Sequence, residues 1–181
     1  MSKIMKKIAW AILAAAVLTW SCAHSNRATW TSIPVVQYVS RPAYTIQVEP
    51  LKRDMLFFVS FRLDIQNRGS GPLEVDWNDT RYIHNGKNLG VLVFRGIDPG
   101  TIRGSIQPDT VPAGANFSKE IFPLKTIAFL PRTQVPEPGR LGFEPGILPG
   151  GENSIRLALR QNGQKRQEIL TVRLVSKPDT P

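Results

Sequence analysis

Phe57-Phe58-Val59-Ser60-Phe61-Arg62-Leu63-Asp64-Ile65-Gln66-Asn67 decides the fold. Phe57, Val59, Phe61, Leu63 and Ile65 recur at every second position, and Ser60, Arg62, Asp64 and Gln66 fill the positions between them. Side chains alternate across a β-strand, so this spacing predicts a strand with one face in a core and the other in water. The flanks carry the same signal. Tyr44, Ile46 and Val48 alternate with Thr45, Gln47 and Glu49 until Pro50 closes the run, and Leu73-Glu74-Val75-Asp76-Trp77 resumes the alternation after the turn residues Asn67-Arg68-Gly69-Ser70-Gly71-Pro72.

Further out, 80–83 and 90–95 flank His84-Asn85-Gly86-Lys87-Asn88, and Asn-Gly is a strong hairpin signal because both positions accept positive φ. A Pro- and Gly-rich stretch over 97–116 leads to a short strand over 117–122. Residues 154–161, the turn Asn162-Gly163 and residues 168–175 form a second hairpin, with Ile155, Leu157 and Leu159 on one face. No long segment has the three-to-four spacing of an amphipathic helix, and only a turn is predicted over 124–129. About eight short strands with Gly/Pro-rich turns predict an all-β fold, an antiparallel immunoglobulin-like β-sandwich; a closed barrel is the alternative. The expected core is Phe57, Val59, Phe61, Leu63, Ile65, Val75, Trp77, Val91, Val93, Ile155, Leu157, Leu159, Val172 and Leu174.

The sandwich is expected over 43–177, with a tail at 178–181. It follows a signal peptide over 1–21 and a tether over 22–42, whose Ile33-Pro34-Val35-Val36 end can also lie along the domain edge. Lys3, Lys6 and Lys7 precede an apolar run over 8–18, which is too short to span a bilayer as a helix and has the layout of an export signal. Two cleavages compete, one before Cys22 and one that uses Ser21 and Ala23 as its small residues. The segment resembles a bacterial lipoprotein signal through Ser21-Cys22, although Leu18 stands four residues before the cysteine instead of three. That resemblance implies lipidation of Cys22 and anchoring to a membrane, and Ala23 after the cysteine implies the periplasmic face of the outer membrane. Within the domain, residues 57–122 resemble the sandwich of late-embryogenesis-abundant-like (WHy) domains through Asn67, Pro72-Leu73-Glu74-Val75, Asn85-Gly86-Lys87 and Val111-Pro112-Ala113-Gly114. This second resemblance implies an accessory or protective binding domain with no catalytic residues.

The composition leaves little room for catalysis. One cysteine and two histidines among 181 residues exclude an internal disulfide and make a His- or Cys-based metal centre hard to build. Familiar acyl-transfer motifs are absent, so the chain is read as a non-enzyme without cofactor or metal. Asp76-Trp77-Asn78-Asp79 lacks the glycine and glutamate of an EF-hand loop and reads as an Asx turn with Trp77 in the core. His84 reads as a turn residue. Two features point outward. The basic residues Arg156, Arg160, Lys165, Arg166 and Arg173 alternate along the terminal hairpin, within a chain of net charge +9. The stretch 131–151 holds five prolines and five glycines together with Leu141, Phe143, Ile147 and Leu148. Each feature has two readings: the basic row is either a solvated outer face whose charges guard an edge or a surface for an acidic partner, and the Pro- and Gly-rich stretch either plugs an open end of the sandwich or offers an apolar contact. On the partner readings the contact residues are Leu141, Phe143, Ile147, Leu148, Arg156, Arg160, Arg166 and Arg173. The expected function is a lipid-anchored module that binds an envelope protein, not nucleic acid; the alternative is a ligand-binding domain for an envelope glycan or lipid.

Overall fold

The computed structural model describes residues 29–54, 56–97, 102, 105–129 and 143–177. These form two antiparallel sheets packed face to face, a β-sandwich. The five-stranded sheet runs β2 (Gln37–Arg41), β3 (Tyr44–Arg53), β4 (Phe57–Asn67), β10 (Asn116–Pro123) and β8 (Leu92–Phe94). The seven-stranded sheet runs β1 (Thr29–Ile33), β14 (Gln164–Lys177), β13 (Gly151–Gln161), β5 (Leu73–Val75) and β9 (Asp109–Val111). On the same side of β13 as β5 lies the hairpin of β6 (Arg81–His84) and β7 (Lys87–Gly90). A short pair, β11 (Ala128–Phe129) with β12 (Phe143–Glu144), follows the one-turn 3-10 helix Leu124–Thr126.

The alternation read in β3, β4 and β13 is the alternation observed. Tyr44, Ile46, Val48, Phe61, Leu63, Ile65, Ile155, Leu157 and Leu159 pack into one core with Trp77, Tyr82, Leu170 and Val172. Burying a large apolar side chain contributes roughly 1.5–3 kcal/mol, so this set supplies the main drive to fold. Both Asn-Gly turns form as read, with positive φ at Asn85, Gly86, Asn162 and Gly163.

Four local expectations are corrected. Phe57 is 38% exposed and Phe58 takes the core place, because a bulge opposite Leu51 and Lys52 shifts the register between Phe58 and Ser60. Val91 is half-buried and Leu92 takes the core place beside it, while Val93 is fully buried as expected, opposite Phe122. β3 continues through Pro50 to Arg53, since β2 ends opposite Val48 and leaves that part of β3 at the sheet edge, where a missing N–H is tolerated. The stretch read as tether over 22–42 contains β1 and β2, which are paired to β14 and β3 respectively. Residues 1–28 and 178–181, with the signal, Cys22 and the tail, lie outside the described residues.

The sandwich has two poles. At the far pole the buried Asn67 side chain donates to the carbonyls of Gly71, Val111 and Pro112, at 2.9 to 3.1 Å, and accepts from the Gly69 amide and the Gln161 amide group. One asparagine thus ties three turns together. At the near pole Thr29 enters opposite Lys177, and the Leu148 amide donates to the Phe58 carbonyl at 2.8 Å.

Both lateral edges are closed by a carboxylate that accepts from a cation and a buried aromatic donor. Between β2–β3 and β14, Glu168 accepts two bonds from Arg41, at 2.8 and 2.9 Å, and one from the Tyr44 hydroxyl at 2.9 Å. The Arg41 bonds, helped by Tyr44, hold the Glu168 carboxyl below its ordinary value against the opposing effect of burial. Between β10 and β9, Asp109 accepts from the Trp77 indole at 2.8 Å and from Lys119. The Lys119 ammonium sits 3.8 Å from the centre of the Phe94 ring and 5.5 to 5.6 Å from those of Phe117 and Trp77.

Candidate functional site

The terminal hairpin sorts its basic residues by parity. Arg156 pairs opposite Ile169, Arg160 opposite Lys165, and Arg173 opposite both Glu152 and Ile33, all on the solvent side of the seven-stranded sheet. Arg166 lies opposite Leu159, a core residue, so it projects from the other side of β14 and is not part of that row. Its guanidinium lies 3.5 Å from the Gln164 side-chain oxygen. The terminal arginines therefore do not form a single face of four.

Within the row the charges differ in how far they are already satisfied. Arg160 lies 3.8 Å from Glu74 and 3.7 Å from Asp76, and Lys165 lies 3.6 Å from Asp79. Arg81, across from Arg156, donates to the carbonyls of Asn78 and Thr80. Arg156 has no ion-pair partner among the described residues, and its Nε is buried without a hydrogen bond. Beside it Ile169 is 59% exposed, and Ile33 is similarly exposed next to Arg173, which also has no ion-pair partner among the described residues. The solvent face thus carries an apolar and cationic strip, Ile33-Arg173-Ile169-Arg156, with exposed Glu152 across from Arg173 and an acid-neutralised zone toward Arg160.

The other expected contact residues divide. Ile147 is exposed, whereas Leu148 is a core residue and is not available for contact. Phe143 stands in β12 opposite Phe129, and Leu141 lies outside the described residues. The Asp76 turn is the Asx turn read from sequence: its carboxylate accepts from the amides of Asn78 and Asp79, and Trp77 is fully buried. His84 lies beside Asn85, with Nδ1 buried and unpaired. Among the described residues no three His, Cys, Asp or Glu side chains converge as metal ligands.

Period-two reading also placed polar residues on the outer face of the five-stranded sheet without giving them a use. There Thr45, Gln47, Asp64, Gln66, Asn116 and Ser118 line an open groove of about 460 Å³ with Ile65 and Phe117 at its base. Apart from Asp64, which lies 3.4 Å from Arg62, none of these polar side chains hydrogen-bonds to another side chain or backbone group among the described residues. Farther along the same face Ser60 and Arg95 both donate to Glu120. Burial pushes the Glu120 carboxyl up, and these two donors outweigh it and hold it below its ordinary value. That end of the face is internally satisfied and the groove end is not. The chain matches no protein-family model, no curated protein and no solved structure.

Proposed function

We propose that this chain is a non-catalytic, lipid-anchored envelope protein. Lipid on Cys22 holds it at the periplasmic face of the outer membrane, and an immunoglobulin-like β-sandwich binds an acidic protein partner through the outer face of the seven-stranded sheet. The supporting observation is the contrast within the basic row: Arg160 and Lys165 lie 3.6 to 3.8 Å from acids, while Arg156 has no acid across the ladder and Arg173 faces Glu152 without forming an ion pair, and both flank exposed isoleucines. Unbalanced cations steer an acidic partner, and adjoining apolar side chains supply contact that slows its departure.

A photoreactive side chain at Ile169 in living cells is expected to capture a protein, and Arg156→Glu with Arg173→Glu is expected to abolish that adduct while the domain stays folded. The second reading is a glycan ligand in the groove of the five-stranded sheet, favoured by its free amide and hydroxyl side chains. Failure to capture at Ile169, combined with binding of envelope glycan fragments that Gln66→Ala abolishes, would replace the first reading with the second.

A further inference from the structure

The near pole carries a feature that the partner face does not use. Leu56 and Phe57 at the β3–β4 turn are 42% and 38% exposed, and Ile147 is 57% exposed. The bond from the Leu148 amide to the Phe58 carbonyl sets Ile147 beside that turn, so the three exposed apolar residues lie at the same end of the sandwich. Lys52, at the end of β3 with its ammonium 5.1 Å over Phe58, is exposed, as are Lys87 on the β6–β7 hairpin and Lys125 in the 3-10 turn. Exposed Asp54 is the opposing charge in that turn, and the nearby Glu144 is bound by Arg53. None of the described residues at the far pole is a large exposed apolar side chain.

This is also the pole where the described chain begins. Cys22 stands seven residues before Thr29, and an extended chain advances at most about 3.6 Å per residue, so Thr29 lies within about 25 Å of Cys22. The 14 residues of β14, at about 3.3 Å each, make the domain about 45 Å long. The leash is shorter than the domain it holds. The geometry points to the near pole seating on the lipid surface, with Leu56, Phe57 and Ile147 at the level of the headgroups and Lys52, Lys87 and Lys125 against anionic phosphates. This inference rests on the lipid anchor proposed above. It leaves the outer face of the seven-stranded sheet standing upright, clear of the bilayer.

The test uses the full chain, processed in cells and reconstituted into phosphatidylglycerol-containing vesicles with nitroxide-labelled lipids. Single cysteines at Leu56, Ile147 and, at the far pole, Gln164 each carry an environment-sensitive fluorophore. Labels at Leu56→Cys and Ile147→Cys are expected to shift to the blue and to be quenched severalfold more than the label at Gln164→Cys. Adding Leu56→Asp to Ile147→Cys is expected to reduce that quenching while the protein stays on the vesicles. Equal quenching at 147 and 164 overturns the inference and leaves the anchor standing. Uptake of thiol label by the wild-type chain, whose one cysteine is Cys22, together with release from the membrane fraction, overturns both.

Discussion

The two lateral edges of the sandwich each combine a carboxylate, a cation and a buried aromatic donor, and distribute burial between the two charges in opposite ways. At the β2–β14 edge the carboxylate is inside and the cation outside: the Glu168 side chain is 9% exposed and that of Arg41 51%. At the β9–β10 edge Lys119, 21% exposed, stands among three rings, and Asp109 is 29% exposed. An ion pair is worth little where water can solvate whichever partner survives, and losing one partner is costly where the other is stranded. The comparison therefore identifies the partner that matters at each edge. It is the exposed arginine at one and the aspartate at the other.

The largest effect is expected from Asp109→Ala. It removes the common acceptor of a fully buried indole N–H and of an ammonium held among aromatic rings. An unsatisfied buried donor costs about 1–3 kcal/mol, and the stranded cation adds to it, for a total of about 2–4 kcal/mol. In a domain of this size that corresponds to a fall in Tm of about 5–15 °C by calorimetry. A change under about 1 kcal/mol would show that Lys119 swings into water and that the β9–β10 edge is not held by charge.

Arg41→Ala comes next and has a signature in pH. The folded-state carboxyl of Glu168 lies below its ordinary value of 4.5, so its pairing stabilises the fold fully above that value and is lost as pH falls through the lowered one. Removing Arg41 leaves a buried carboxylate with Tyr44 as its remaining partner, which raises that folded-state value. The stability deficit of Arg41→Ala is expected to be widest near neutral pH and to narrow on acidification below about 4.5. Denaturant titrations at a series of pH values measure it directly. A deficit independent of pH would assign the loss to arginine packing instead of to the pair.

Period two was readable wherever apolar and polar residues alternate, which is why β4, β13 and both Asn-Gly hairpins were found from sequence. It failed where the pattern is degenerate. Phe57, Phe58 and Val59 are all apolar, so nothing local selects which of them faces inward, and the bulge that decides it depends on β3 across the sheet. β1 and β2 hid among Ser, Thr, Arg and Pro because edge strands need little apolar surface of their own. The basic row was legible by alternation, and so was the exclusion of Arg166, which shares parity with the buried Glu168 and Leu170. What alternation cannot supply is a partner. Lys119 lies between Phe117 and Ile121 on the inward parity of β10, and its acceptor Asp109 arrives from the other sheet. Thr45, Gln47, Asp64 and Gln66 were placed on the water side correctly, but Asn116 was read as loop and Ser118 was given no face, because the convergence of the groove residues depends on three strands meeting in register.

Lys119→Met is expected to have the smallest effect, and it separates the two edges most sharply. The thioether side chain fills a similar volume, and its sulfur gains contacts with the rings that surrounded the ammonium, of order 0.3–1.5 kcal/mol. Against this stands a lost cation–π interaction of about 0.5–2 kcal/mol. Asp109 keeps its bond from Trp77 and enough exposure to take water in place of the lysine. The sum is expected to fall within about 1 kcal/mol of wild type, as volume-conserving swaps usually do. A cation removed from between the sheets would then cost less than one removed from the surface at Arg41, an order that ranking the two by burial alone would reverse. Chemical denaturation of Lys119→Met and Arg41→Ala side by side at pH 7 tests that order. A Lys119→Met loss larger than that of Arg41→Ala would mean that the ammonium itself, through Asp109 and the three rings, holds the β9–β10 edge closed.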